Sequence, residues 1–378
     1  MQRRFIKRQC SQIPFQKAAL IAALCFVVHQ NLAYGQQASV PVISAPVTPS
    51  AVTVDPSSLQ PPVSQIPMVT VPEGEPLPTV PPAPSKPVSD TVMQLREGYV
   101  ADQTEGLSDP EINIPGITSA ANPPDTVGDV GRNHFVQMVN ATRFQIWDKQ
   151  GNALTPPLVF GNLWPVGDVC RSNAGDPIVV YDHLADRWLL SQFANPNHMC
   201  IAISQTPDPT VATWFLYTFN VGIFPDYPKF GVWLDGYYMS SFEGARLGVF
   251  VFERDAMLLG APARFIKTTI PSLTPLPGVR ETRILPTDLD GLPPPDGTPN
   301  FFMRTVDDQQ DVINPTDRME IYEAKVNWSA PSFSFTLANT LNPAPFNIMV
   351  CNRNGEESET AYRSPIQPLP SMRCPIGR

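Results

Sequence analysis

The chain has 378 residues, with 26 basic and 35 acidic side chains and a formal net charge of −9. An acidic chain without a basic cluster is a poor match for nucleic acid or an anionic membrane surface, and those partners are set aside. Metal ions, other cations and neutral ligands such as glycans stay open.

Met1–Lys17 carries Arg3, Arg4, Lys7, Arg8 and Lys17 and no acid, and Ala18–Val28 is an uncharged apolar run. Ala33 and Gly35 then place small residues three positions and one position before a cut after Gly35. This order predicts a secretory signal peptide over 1–35. The apolar run is shorter than the roughly 20 residues that span a bilayer, so no membrane span is expected after its removal. Leu24 stands before Cys25 where a lipoprotein signal needs a small residue, which argues against a lipid anchor. The exported chain then carries 21 basic against 35 acidic side chains, a net charge of −14. It is expected in a secreted, periplasmic or cell-surface location.

Residues 36–89 hold 14 prolines, no aromatic residue, no cysteine and a single glycine, Gly74. Proline fixes φ and removes a backbone donor, and nothing large is present to form a core. The composition predicts a Pro-rich, disordered, semi-rigid linker or stalk.

Residues 90–378 form one domain's length of chain. Three stretches share a rhythm: Phe144–Leu154, Pro177–Phe193 and Phe230–Phe242. In each, a run of Val, Ile, Trp, Tyr and Phe meets an acidic turn and returns through a second such run. That pattern predicts antiparallel hairpins, and their recurrence predicts an all-β fold of radial or stacked repeats. At about 40–50 residues per blade, residues 125–345 supply four or five blades of a β-propeller-like array.

Four cysteines remain after the signal: Cys170, Cys200, Cys351 and Cys374. Cys170 and Cys200 flank one predicted hairpin, and pairing near neighbours closes the shorter loops. Disulfides 170–200 and 351–374 are therefore expected. No cysteine or histidine cluster has zinc-ligand spacing.

Signatures of nucleophilic, phosphate-binding, dinucleotide-binding and zinc-hydrolase chemistry are absent from the sequence. The densest polar motif is Asn122–Asn133, where Asp125 and Asp129 lie among Pro123, Pro124, Gly128 and Gly131. Oxygen-rich glycine turns suit calcium, and this pair is the candidate metal site. The plainer reading is that the aspartates accept backbone N–H bonds within the turn. Asp176, Asp226 and Glu243 also flank predicted strands. If the strand entrances line the centre of a radial array, these three and Asp125 converge on an acidic funnel. Such a funnel suits a cation or carboxylate-driven glycoside chemistry, with Asp176, Asp226 and Glu243 as candidate catalytic residues. The alternative is four separate turn carboxylates. Trp164, in a loop before Pro165, is the candidate for stacking on a ligand.

The string Pro123–Gly131 (PPDTVGDVG) resembles the opening motif of a group of secreted bacterial proteins that carry no assigned activity. Gly175-Asp176-Pro177, Tyr181-Asp182 with Arg187–Ser191, Phe224–Lys229 and Asp235–Tyr238 resemble the group's later motifs in the same order. The resemblance covers about residues 115–375. It implies a β-propeller distantly similar to sialidase-type repeats, and because the relatives continue with further strands it implies an array incomplete at its C-terminal end, with a complete small propeller as the alternative. The sialidase Asp-box is not reproduced, since Asp182–Trp188 lacks its Ser/Thr and its glycine. Two function classes follow: an exported module binding a glycan, an extracellular protein or a metal ion, or a glycoside hydrolase using the funnel carboxylates.

Overall fold

A computed structural model describes residues 39–53 and 111–346, apart from positions 120, 122, 141, 212, 245, 271, 272 and 274–282. The signal peptide expected over 1–35, residues 54–89 of the linker and the Cys351–Cys374 bridge lie outside the described residues. Among the described residues no helix is long and apolar enough to cross a membrane.

The fold is all-β and built from four antiparallel sheets. Two short strands come first, β1 (Val42–Ile43) and β2 (Ser50–Thr53). The first sheet is β3 (Val127–Val130), β4 (His134–Val139), β5 (Arg143–Asp148) and β6 (Leu158–Val159). The second is β7 (Gly175–Asp182), β8 (Arg187–Ala194), β9 (His198–Ser204) and β10 (Thr213–Asn220), with β2 on its outer edge. The third is β11 (Asp226–Val232), β12 (Tyr237–Phe242), β13 (Leu247–Phe252) and β14 (Phe265–Ile270), with β1 on its outer edge. The fourth is β15 (Leu285–Pro286), β16 (Asn300–Val306), β17 (Arg318–Asn327) and β18 (Ser332–Leu341).

Apart from the edge strands β1 and β2, each sheet is a meander in which sequence neighbours pair. Two expected hairpins form as read, β7–β8 and β11–β12. In the third stretch, β5 ends in a turn that closes through an isolated bridge between Trp147 and Ala153.

The sheets stack face to face through three apolar cores. Val136, Met138, Phe144 and Ile146 of the first sheet pack with Leu190 and Trp214 of the second. Ile178, Leu189 and Phe219 of the second meet Phe230, Phe250 and Phe252 of the third. Tyr238, Val249 and Ile266 of the third meet Phe302, Phe333 and Phe335 of the fourth. The middle sheets are thus covered on both faces, which is why β8 and β13 are apolar or buried almost throughout, with no polar alternate face. The leading strands of the sheets also meet, β3 against β7, β7 against β11 and β11 against β15.

The Pro-rich stretch corrects one expectation. Residues 39–53 are not a bare spacer: β1 pairs with β14, and β2 pairs with β10. Val42–Ile43 and Ser50–Thr53 sit in gaps between Pro41, Pro46, Pro49 and Pro56, so their N–H groups are free to enter a ladder. The segment covers the outer edges of the two middle sheets, which would otherwise present unpaired backbone to solvent.

Polar links tie the stack together. The Asp182 carboxylate, fully buried at the end of β7, accepts from Arg254 Nε at 2.7 Å and from the Tyr237 hydroxyl at 2.8 Å. Arg254 opens helix α1 (Arg254–Leu258), which follows β13. Cys170 and Cys200 form the expected disulfide, with a Cα separation of 5.7 Å.

Candidate ligand site at the strand entrances

The entrances of β3, β7 and β11 share a backbone feature. Asp125 has φ +37°, Asp176 φ +45° and Tyr227 φ +51°. Each stands at the mouth of a leading strand, and each is followed by Thr126, Pro177 or Pro228. Aspartate tolerates the left-handed region through local hydrogen bonding. An aromatic residue there is uncommon and is held only by its surroundings.

Those surroundings are a relay of hydrogen bonds from sheet to sheet. Asn140, just after β4, donates through Nδ2 to Asp125 Oδ2 at 2.8 Å and to the Pro123 carbonyl at 3.1 Å. Its Oδ1 accepts the Asp176 backbone N–H at 3.2 Å. Asp176 Oδ2 in turn accepts the Tyr227 backbone N–H at 3.1 Å. Gly175 makes the approach possible, because a Cβ there would lie 2.7 Å from Asn140 Oδ1, at a φ of +137° that also favours glycine.

The relay brings charged groups of three sheets into one field. Burial, then the nearby carboxylates of Asp125 and Asp226, raise the Asp176 carboxyl to a pKa of about 6. Lys229, on β11, is pushed down by burial and held up by Asp176 and Asp125. Its ammonium lies 4.1 Å from the centre of the Tyr227 ring, and Tyr227 is 45% exposed. The Arg283 guanidinium lies over the same ring and over Phe242. The arrangement offers carboxylate acceptors, an ammonium donor and an accessible aromatic face together. A site of that make-up can take hydroxyl hydrogen bonds and the apolar face of a ring.

The expected residues divide. Asp125 and Asp176 are linked through Asn140, and the carboxylates of Asp125 and Asp226 both act on that of Asp176. Glu243 does not join them: it follows β12 at the same end of the third sheet, since Phe242 pairs with Asp226, but its carboxylate is buried against Lys267 Nζ at 2.6 Å. Burial raises its pKa and Lys267 opposes that. Trp164 is no stacking platform. It is 2% exposed, packs edge-on to Phe160 and donates to Thr218 Oγ1 at 3.1 Å, in the core beside the disulfide.

Asp125 and Asp129, the pair expected to hold calcium, make separate protein contacts. They sit at opposite ends of β3, and Asp129 accepts the Val130 N–H and, through Oδ2 at 2.7 Å, the Tyr181 N–H. Each carboxylate thus serves different donors, as the plainer reading of turn aspartates has it. Among the described residues the group of three carboxylates close enough together to share a metal is Asp307, Asp308 and Asp317. Asp307 caps the turn that follows β16, and Asp317 accepts the N–H groups of Asp308 and Phe346, so these oxygens already have protein partners.

Sequence reasoning missed Asn140, Tyr227, Lys229 and Arg283. Tyr227 and Lys229 lay inside the Phe224–Lys229 motif, where an aromatic residue and a cation beside Asp226 were the available signal. Asn140 and Arg283 carried none. No family model matches this chain, and a comparison with curated proteins finds no relative.

Proposed function

We propose that the four sheets are blades of a β-propeller-like scaffold, and that the chain is an exported binding module that takes a glycan at the entrances of β3, β7 and β11. The resemblance of the PPDTVGDVG string and the signal-like N-terminus support export and the propeller reading. The observation that carries the binding reading is the meeting of Asp125, Asp176, Asp226 and Lys229, drawn from three consecutive sheets, beside the exposed Tyr227. Carboxylates accept from sugar hydroxyls, Lys229 donates to a ring or hydroxyl oxygen, and Tyr227 and Arg283 form the rim. Binding of this kind needs no metal, because the acceptors and donors come from the protein.

A second reading is favoured by one observation. A carboxyl with a pKa of about 6, flanked by two further carboxylates, is what a glycoside hydrolase asks of its general acid. In that reading Asp176 protonates the glycosidic oxygen, and Asp125 or Asp226 acts as nucleophile or base.

A glycan-array screen of the exported chain, with calcium and with chelator, tests the binding reading. Retention of a defined glycan set under both conditions is the expected result. An array without signal above background refutes it. Calcium-dependent binding removes the metal-free site. Incubating the retained glycans at pH 5–7 and analysing products decides the second reading, since intact glycans exclude hydrolysis.

A further inference from the structure

The three cores join sheets one to two, two to three and three to four, and none of them joins the first and fourth sheets. Each of those two therefore has an outer face. The first sheet's is crossed by its own leading segment: the Ile117 N–H donates to Gln137 Oε1 at 2.8 Å, the Ser119 hydroxyl donates to the Asn140 carbonyl, and Ile112 and Ile114 lie against Gly151.

The fourth sheet's outer face has a different character. Phe302, Ala324, Phe333 and Phe335 point into the core, so their alternates point out. The register places Leu285 beside Met303, Met303 beside Ile321, and Met319 beside Leu341 on that outer side. Leu285 is 49% exposed, Met303 45% and Leu341 45%. Such a row of aliphatic side chains crossing a sheet marks a surface that something covers.

We propose that the outer face of the fourth sheet is the docking surface for the chain's own C-terminal segment, beginning with Ile348–Cys351. The place where the described chain leaves the sheet argues for this occupant. After Leu341 the backbone runs to Phe346, whose N–H donates to Asp317 Oδ2 at 2.8 Å, two residues before Met319. The exit therefore stands at the Met319–Leu341 corner of the exposed row. The next residues are Asn347-Ile348-Met349-Val350-Cys351, an apolar run with β-branched residues at 348 and 350. In extended chain those two share a side, so both can face the sheet. Thirty-two residues follow Phe346, enough to cross a four-stranded sheet and return. The fourth sheet would then be closed as the first is, by the segment adjoining it in sequence.

Met303 and Met319 are built-in reporters, because peroxide converts an accessible methionine to the sulfoxide. Met138, Met199, Met239 and Met257 are fully buried and serve as internal references. In the full exported chain, Met303 and Met319 are expected to oxidise nearly as slowly as the references. In the chain carrying Ile348→Asp and Val350→Asp they are expected to oxidise about tenfold faster, as for a face uncovered instead of closed nine-tenths of the time. Light scattering on the same samples should report a monomer. Rapid oxidation in the unmutated chain overturns the proposal. So does slow oxidation that survives the double substitution, and so does a dimer whose dissociation exposes the two methionines, which would make a second copy the occupant. If the double variant loses its core, seen as rapid oxidation of Met138 and Met239, Val350→Ser replaces it with the same readout.

Discussion

Replacing Asp176 with asparagine should stabilise the fold at neutral pH while weakening the site. Burial and the charges of Asp125 and Asp226 raise the Asp176 pKa from 3.8 to about 6, so its ionisation is disfavoured in the folded chain. A group whose pKa is raised on folding contributes stability that is fully present below the unfolded value and lost as pH rises through the folded one. Here the loss runs from about pH 4 to about pH 6 and is complete above pH 7. A shift of about two units at 1.36 kcal/mol each corresponds to roughly 3 kcal/mol, an upper bound because the carboxylate keeps some contact with water. Asparagine keeps an oxygen for the Tyr227 N–H and carries no charge. Asp176→Asn should therefore match the parent near pH 4 and exceed it by about 2–3 kcal/mol at pH 8, on the order of 5–10 °C in Tm. Urea unfolding of both chains from pH 4 to 8 measures this, and the difference between them cancels the titration of carboxylates that do not interact with Asp176. A variant that is less stable at pH 8, or a difference that does not change with pH, would refute the reasoning.

Three further outcomes follow from the packing. Removing the Cys170–Cys200 bridge by paired alanines should cost on the order of 2–4 kcal/mol in urea unfolding, with reductant lowering the parent by more than the variant. Asp182→Ala leaves the buried Arg254 guanidinium without its carboxylate and should cost about 3–5 kcal/mol, a larger effect than any single exposed ion pair gives. Deleting residues 36–53 uncovers the outer edges of β10 and β14; light scattering should then show association that the parent lacks, and a monomer as stable as the parent would contradict the capping role.

The strands were legible because their signal is local. In Pro177–Phe193 and Phe230–Phe242 the β-branched and aromatic runs are long enough to outweigh alternatives, and the acidic turn between them fixes the return. β1 and β2 were not legible, because proline density describes a whole segment while pairing needs only a few free N–H groups between prolines. The convergence of Asp125, Asp176 and Asp226 could be argued from their shared position before leading strands. The errors arose where the deciding partner is remote in sequence. Lys267 takes Glu243, the Tyr181 N–H takes Asp129, and Phe160 with Thr218 encloses Trp164. None of these pairings is written into the residues around the site.

The most direct test of the central claim is the affinity of the strongest array glycan for the parent chain beside Asp226→Asn and Lys229→Ala, measured by calorimetry at pH 7. The account predicts that both variants unfold cooperatively and bind at least about tenfold more weakly, the equivalent of one lost charged hydrogen bond. Parental affinity in both would place the ligand elsewhere and contradict the site.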